Sequence, residues 1–430
     1  MVPHLVTALK GPLLELERRF LDATAQIERW FRLEWQEHTP PVYCSTDLRN
    51  AGFKVAPVDT NLFPGGFGNL SDEVLPLAVQ AAMVAIEKYC PDARNLLLIA
   101  ENQTDDPSYQ RNLVRLSAIM RQTGLNVRFA TLNPRITAPT RIELARGQWL
   151  LIEPLERRGR RIGVADFDPC AILLNNDLSS GLPEVLRGLH EQTVLPPLHA
   201  GWAVRRKSNH FAAYKEVAKK FAKAFDIDPW LIDPYFAACG SVSFTERAGE
   251  DCLSTNVESV LRQMRSKYRE YRIRDKPFVI VKADAGTYGK GVLSVRDPVE
   301  VRDMSLAQRE RMSVGKEGLP VTEVLVQEGV PTFETINDAV AEPVVYMMDR
   351  YVIGGFYRVH ADRGPDENLN APGARFVPLP FAASCNLPDV NSPAEVAANR
   401  FYGYGVVARL ALLAASIELE RTDPDQSLYG

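Results

Sequence analysis

Cysteine and histidine are scarce and scattered in this chain. Six of each occur in 430 residues, with no C-x-x-C pair and no nearby Cys/His set, so neither a zinc site nor a disulfide framework is indicated. Cys44, Cys90, Cys170, Cys239, Cys252 and Cys385 read instead as buried, reduced thiols of a cytoplasmic protein. No apolar run reaches the roughly 20 residues of a membrane span. The most apolar stretch, Val406 to Leu419, is shorter and carries Arg409 and Glu418, which fits a buried helix. The amino terminus lacks a basic region followed by a sustained apolar core, so no signal peptide is expected. Strong charge of one sign is missing too. A formal net charge of -4 gives no general pull toward nucleic acid or an anionic membrane. The local basic run Arg157 to Arg161 reads as a solvated hairpin tip.

What is present is the composition of a large globular protein, 46% hydrophobic and 24% charged, with length for about two to three domains. Apolar positions recurring at three and four predict one amphipathic helix from Leu13 to about Trp35. Helices are expected at Leu75–Tyr89 and Tyr109–Thr123, alternating with strands at 95–99, 127–131 and 171–174. That alternation implies a parallel α/β layer. Ligands of such sheets sit beyond the carboxyl ends of strands, where Glu101 to Asp106 and Asn175 to Asp177 fall. Helix capping, by Asp106 before Pro107 and Ser180 before Pro183, explains those residues equally well.

Two stretches are richer in chemistry. Pro41 to Glu73 has little regular periodicity yet crowds Asp47, Arg49, Asn50, Lys54, Asp59, Asn61 and Asn69 among turn formers. A zwitterionic amino acid needs a guanidinium for its carboxylate and a carboxylate for its ammonium, which this stretch supplies. A network of Asx turns is the plainer alternative. The second stretch, FVIVKADAGTYGKGVLSV from Phe278 to Val295, reads as strand, glycine-rich loop, strand. It has neither the G-x-x-x-x-G-K-[ST] of a P-loop nor a G-x-G-x-x-G opening a helix. Lys282, Lys290 and converging loop amides suit a phosphate cover, and an ordinary hairpin with a long glycine loop is the alternative.

The order of later features is informative. After Pro196 and Pro197 comes the trio Arg205, Arg206, Lys207 before a helix, an anion-binding candidate. Then follow a helix at 257–271, the Lys282 loop, a strand ending at Gln327 and Glu328, and a hairpin turning at Asp349 and Arg350 that carries Arg358. This order resembles the ATP-grasp superfamily. The resemblance implies that Lys207 and Lys282 contact ATP phosphates and that Gly286, Thr287, Gly289, Lys290 and Gly291 cover them. Gln327, Glu328 and Val330 would line adenine and ribose, and Lys207, Lys282 and Arg358 would be catalytic. No clean E-x-N pair for Mg²⁺ is present; Glu367, Asn368 and Asn370 are the nearest candidates, with Asp349 and Glu342 behind them.

A closer resemblance spans nearly the whole chain. STDLRNAGFKVAPVDTNLFPGGFGNL, LNNDLSSGLP, GWAVRRKSNHF, DPWLIDPYF and KADAGTYGKGV are similar to the proteobacterial glutamate-cysteine ligase family, distinct from the common bacterial and plant-type enzymes. It implies an amino-terminal α/β substrate-binding domain over residues 1–200 and, with α+β character in the second half, an ATP-grasp-like pair of subdomains over 201–430. The implied reaction is ATP- and Mg²⁺-dependent formation of γ-glutamylcysteine from glutamate and cysteine, the first step of glutathione synthesis. Glutamate would meet Asp47, Arg49, Asp59, Asn61 and Asn69, with Arg49 and Asp59 leading. A different carboxylate-amine ligase and a non-catalytic ATP-binding regulator remain the alternatives. Neither nucleic acid nor membrane is an expected partner, and homo-oligomerisation is left open.

Overall fold

The computed structural model describes residues 5–6, 11–144, 147–286, 291–315, 318–379 and 400–425. Three main sheets organise them, in a mixed α/β fold.

The parallel layer is six-stranded, in the order Thr193–Leu195, Ala171–Leu174, Asn95–Ala100, Asn126–Thr131, Trp149–Pro154, Thr140–Glu143, with only the last strand antiparallel. Both faces of its central strand are buried. Leu96 and Leu98 pack with helices Leu75–Tyr89 and Pro107–Gln122, while Leu97 and Ile99 join the larger core on the other side. This is why the strand reads as an unbroken apolar run. Asp106 caps the second helix through the Ser108 amide at 2.9 Å, so capping accounts for this residue. Asn175 accepts from the Tyr109 hydroxyl at 2.6 Å.

The single helix expected from Leu13 to Trp35 is two, Pro12–Asp22 and Thr24–Glu37. The Thr24 hydroxyl donates to the Leu21 carbonyl at 2.7 Å, a side-chain bond that competes with the helical ladder at the junction.

The stretch Pro41 to Glu73, which shows no strand periodicity, folds largely as a hairpin. Strands Tyr43–Asn50 and Val55–Asn61 pair antiparallel around a turn in which Gly52 takes φ 79°. The hairpin joins residues three hundred positions later. Strand Ala339–Met348 pairs with Tyr43–Asn50 on one side and with Tyr351–His360 on the other, and Arg375–Pro378 extends the sheet. Thr335–Ile336 and Leu5–Val6 complete its seven strands. This sheet therefore draws strands from either side of residue 200.

The third sheet is antiparallel, in the order Phe236–Cys239, Val324–Glu328, Val279–Ala283, Val292–Val295, with helix Glu250–Glu270 packed on it. Helix Arg400–Thr422 lies against helix Lys207–Ala224 and the 43–61 hairpin. It is long and apolar enough to cross a membrane, but 89% of its most apolar window is buried in the fold.

The Arg157–Arg161 run forms the small hairpin Glu156–Arg158 with Arg161–Gly163. Arg157 donates to the carbonyls of Val185 and Arg187. The expectation of six buried thiols fails in part: Cys44 and Cys239 are buried, Cys90 and Cys170 are half-buried and Cys252 is exposed. Cys385 lies outside the described residues.

Candidate active site

A cleft of about 980 Å³, counted with its open mouth, lies between the four-stranded and seven-stranded sheets. Strand parity explains its lining. Ile280 and Lys282 share one face of their strand, and Gln327 and Val292 stand directly across from them. On the opposite wall Asp47 faces Asp59 across the 43–61 hairpin, and Glu342 faces Arg358 across the later one. Phe278, Val330 and Val58 complete the walls, Lys207 enters from the first turn of its helix, and Glu367, Asn368 and Asn370 stand at the rim.

Two carboxylates directly opposed across strands repel each other, and the cleft supplies cations to offset this. Arg358 Nη1 donates to Asp47 at 2.8 Å and to Glu342 at 2.6 Å. Burial still pushes the Asp47 carboxyl up, against the Arg358 charge. Burial alone would raise Asp59 as well, but Lys207, Lys282 and Arg205 around it hold it below the usual carboxylate range. The lysines respond in kind. Burial lowers Lys282, with Asp59 and Asp47 opposing, and brings Lys207 down to about 8, against the Asp59 charge.

Each lysine is tied to a backbone carbonyl. Lys282 Nζ donates to Val58 at 2.6 Å, next to Asp59, and Lys207 Nζ donates to Gly286 at 2.5 Å. The Lys207 ammonium also lies 4.0 Å from the Trp202 ring, a cation–π contact. Gly286, at φ 87°, donates its amide to the Trp202 carbonyl at 3.2 Å. The start of the glycine loop is thereby joined to the Lys207 helix.

Thirteen of the residues singled out from sequence meet in this one cleft: Asp47, Arg49, Asp59, Lys207, Lys282, Gly286, Gln327, Glu328, Val330, Arg358, Glu367, Asn368 and Asn370. Thr287, Gly289 and Lys290 lie outside the described residues. Gly291 is described and does not line the cleft. Asn61 and Asn69 are not brought in either; the Asn61 side chain accepts from the Phe63 amide at 3.1 Å, an Asx turn.

Three side chains sit at the cleft with their polar groups already engaged. Arg49, expected to hold a substrate carboxylate, donates to Glu342 at 2.8 Å and to the carbonyls of Val330, Pro365 and Glu367 at 3.4, 3.1 and 2.6 Å. It works as a brace between the two sheets and the rim. Glu328, expected at the ribose, turns its carboxylate away into a buried pair with Lys54 at 3.0 Å. Glu367 accepts from the Gly364 amide at 2.6 Å and from Arg363 at 3.1 Å. By contrast, Arg358 Nε and Gln327 Nε2 are buried with no hydrogen-bond partner among the described residues. Such groups are costly to leave unmet.

For Mg²⁺ the oxygen donor types of Glu367, Asn368 and Asn370 fit, although Glu367 would have to exchange its contacts with Gly364 and Arg363, and Asn368 its contact with the Asn370 amide, for the ion. All three line the cleft, and Mg²⁺ needs one or two protein carboxylates when phosphate oxygens complete its shell. Among the described residues no set of three or more His, Cys, Asp or Glu groups is arranged to hold a metal. Asp349 is away from the cleft, paired with Lys88 at 3.2 Å, whereas Glu342 lines it.

Glu342, Phe278 and Ile280 belong to the cleft without having been leading candidates. Parity with Lys282 is the signal that points to Ile280 and Phe278. Lys54 belongs to the crowded Pro41 to Glu73 stretch, but nothing local in sequence points to its pairing with Glu328 or to the Val58 carbonyl.

A glutamate-cysteine ligase family model matches residues 17–419. Among curated proteins nothing matches. A crystal structure from Methylobacillus flagellatus KT, of a protein provisionally named gamma-glutamylcysteine synthetase, superposes with a TM-score of 0.91 at 60% identity, covering 98% of this chain and 100% of that one. A glutathione synthetase-like effector from Globodera pallida, at 9% identity and TM-score 0.36, covers 86% of this chain and 83% of that one. D-cycloserine synthetase, at 13% and 0.38, covers 77% and 82%. These last two share too little to bear on the fold. From the family model and the Methylobacillus structure together, the chain belongs to the glutamate-cysteine ligase family of enzymes.

Proposed function

We propose that the protein joins the γ-carboxylate of L-glutamate to the amine of L-cysteine at the expense of ATP, yielding γ-glutamylcysteine, ADP and phosphate as the first step of glutathione biosynthesis in the cytoplasm. The observation that carries this reading is the convergence in one cleft of an apolar slot, two lysines from different elements, Lys207 buried and Lys282 half-buried, and a floor of paired Asp and Arg groups. The adenine occupies the slot between Phe278, Ile280 and Val330, within reach of Gln327. Lys207 and Lys282 receive the phosphates, beside Gly286. Glu367, Asn368 and Asn370 would hold Mg²⁺, which would supply charge neutralisation at the phosphates.

The glutamate lies on the 43–61 hairpin. Asp47 and Asp59 face its ammonium, and the unpartnered Nε of Arg358 faces carboxylate or developing negative charge. The γ-carboxylate oxygen displaces ADP from the γ-phosphorus and forms an acyl phosphate. The neutral cysteine amine then attacks the acyl carbon, phosphate leaves, and the amine proton passes to solvent or phosphate. No enzyme nucleophile is required. Positioning and preorganised charge do the work. We assign substrate selection to the part of the chain before residue 200 and nucleotide binding to the part after it, with the shared seven-stranded sheet joining the two.

Purified protein incubated with ATP, Mg²⁺, glutamate and cysteine should release ADP together with the thiol dipeptide. Another amino-acid pair giving ADP where this one does not would indicate a different ligase. No ADP with any pair would sink the enzymatic reading.

A further inference from the structure

Lys54 is a wholly buried lysine that the reaction does not use. It sits in the turn of the 43–61 hairpin with no exposed surface. Its Nζ donates to Glu328 Oε1 at 3.0 Å and to the Asp233 carbonyl at 3.1 Å, and lies 4.5 Å from the Trp230 ring. The Glu328 carboxylate is surrounded: Trp230 Nε1 lies 3.1 and 3.2 Å from its two oxygens, and the Tyr235 amide donates at 2.9 Å.

The backbone of this same segment forms a wall of the cleft. Gln327 and Val330, on either side of Glu328 and Gly329, both line it. Gly329 donates its amide to the Phe278 carbonyl at 2.8 Å, and a Cβ at Gly329 would fall 2.2 Å from the Phe278 ring. The wall is therefore held by its strand pairings on both edges, by Gly329 at the Phe278 carbonyl and Arg49 at the Val330 carbonyl, and from behind by the Glu328 side chain. Lys54 carries the only cationic group hydrogen-bonded to that carboxylate among the described residues.

We propose that Lys54 is a positioning residue for the nucleotide: from the turn of the amino-terminal hairpin it fixes Glu328, and through it the stretch 327–330 against which the base lies. This rests on the reading of the cleft as an ATP site. A burial energy alone would not require this pair, since replacing a buried ion pair with apolar groups of similar volume is often neutral for stability. That difference supplies the test.

ADP affinity by calorimetry, the KM values for ATP and glutamate, and the melting temperature would be measured for wild type, Lys54→Met, the double variant Lys54→Met/Glu328→Leu, and Trp230→Phe. Lys54→Met should bind ADP at least about tenfold more weakly, the loss of one charged hydrogen bond, and raise the ATP KM without a matching rise for glutamate. The double variant should regain thermal stability but not ADP affinity. Trp230→Phe removes one donor to Glu328 and keeps an aromatic ring, so it should weaken ADP about fivefold even if Lys54→Met fails to fold. Recovery of affinity along with stability in the double variant, or wild-type affinity in Trp230→Phe, would overturn the positioning role. Wild-type protein that binds no ADP would instead overturn the nucleotide reading beneath it.

Discussion

Arg205 and Glu418 stand far apart in sequence and meet as a two-pronged pair, 2.8 and 2.9 Å between their atoms, with 3% and 2% of their side chains exposed. His210 Nδ1 lies 3.1 Å from the same carboxylate, and Arg205 Nη1 donates to the Thr60 carbonyl at 2.7 Å, beside Asp59. The pair thus anchors the carboxyl-terminal helix to the Lys207 helix and to the cleft floor.

Removing one partner of such a pair strands the other's charge, so Glu418→Gln should lower the unfolding free energy by about 3 to 5 kcal/mol. Burial raises the Glu418 carboxyl, but Arg205 and His210 more than offset this and hold it at about 2, below its ordinary 4.5. The folded pKa is depressed, so the stabilisation is complete above about pH 4.5 and disappears as pH falls through about 2. Urea unfolding of both proteins should give stability curves that converge across that window. Curves that stay parallel would contradict the assignment.

Lys282→Ala removes a charged hydrogen bond worth roughly 1.5 to 3 kcal/mol, so ATP-dependent turnover should fall at least about tenfold. Turnover close to wild type would exclude the phosphate role.

Lys207, brought down to about 8 mainly by burial, faces Asp59, Lys282, Arg205 and Asp284. Its cationic form, the one that attracts phosphate, is lost as pH rises through that value. The kcat/KM for ATP reports the free enzyme and should decline above about pH 8. Lys207→Arg should abolish that limb, because a guanidinium stays charged. A decline of the same position in the variant would assign it to another group.

Arg49→Ala releases Glu342, the Val330 carbonyl and the 365–367 rim at once. The KM values for ATP and glutamate should therefore rise together, with a drop in melting temperature larger than that of Lys282→Ala. A rise confined to glutamate would restore Arg49 as a direct substrate contact.

Much of the local structure is legible in the residues. Helix Leu75–Tyr89 and strand Ala171–Leu174 form where apolar periodicity and a buried run put them, and the hairpin turns at Asp349, with φ 46°, and Arg350. The 43–61 hairpin is not legible for a physical reason. Its cleft-side positions carry Asp47, Arg49 and Asp59, and its strands are largely buried, so the alternation of apolar and polar residues that announces a half-buried strand never appears. The site divides similarly. Lys207, Lys282 and Arg358 stand out by residue type and order, whereas the burial of Lys54 against Glu328 cannot be read from the crowded stretch that holds it.

By itself, then, the sequence determined which chemistries are available: a lysine strand with a glycine loop, a basic helix start, and a stretch dense in Asp, Asn and Arg. Only the tertiary structure decided which of these groups line the cleft and which pair with one another. Arg49 and Glu328 became braces, while Arg358 and Gln327 kept N–H groups unmet. A charged side chain's role depends on what lies within about 3 Å of it. Here those neighbours are set by strand pairings and helix packing between residues hundreds of positions apart, which no local pattern encodes.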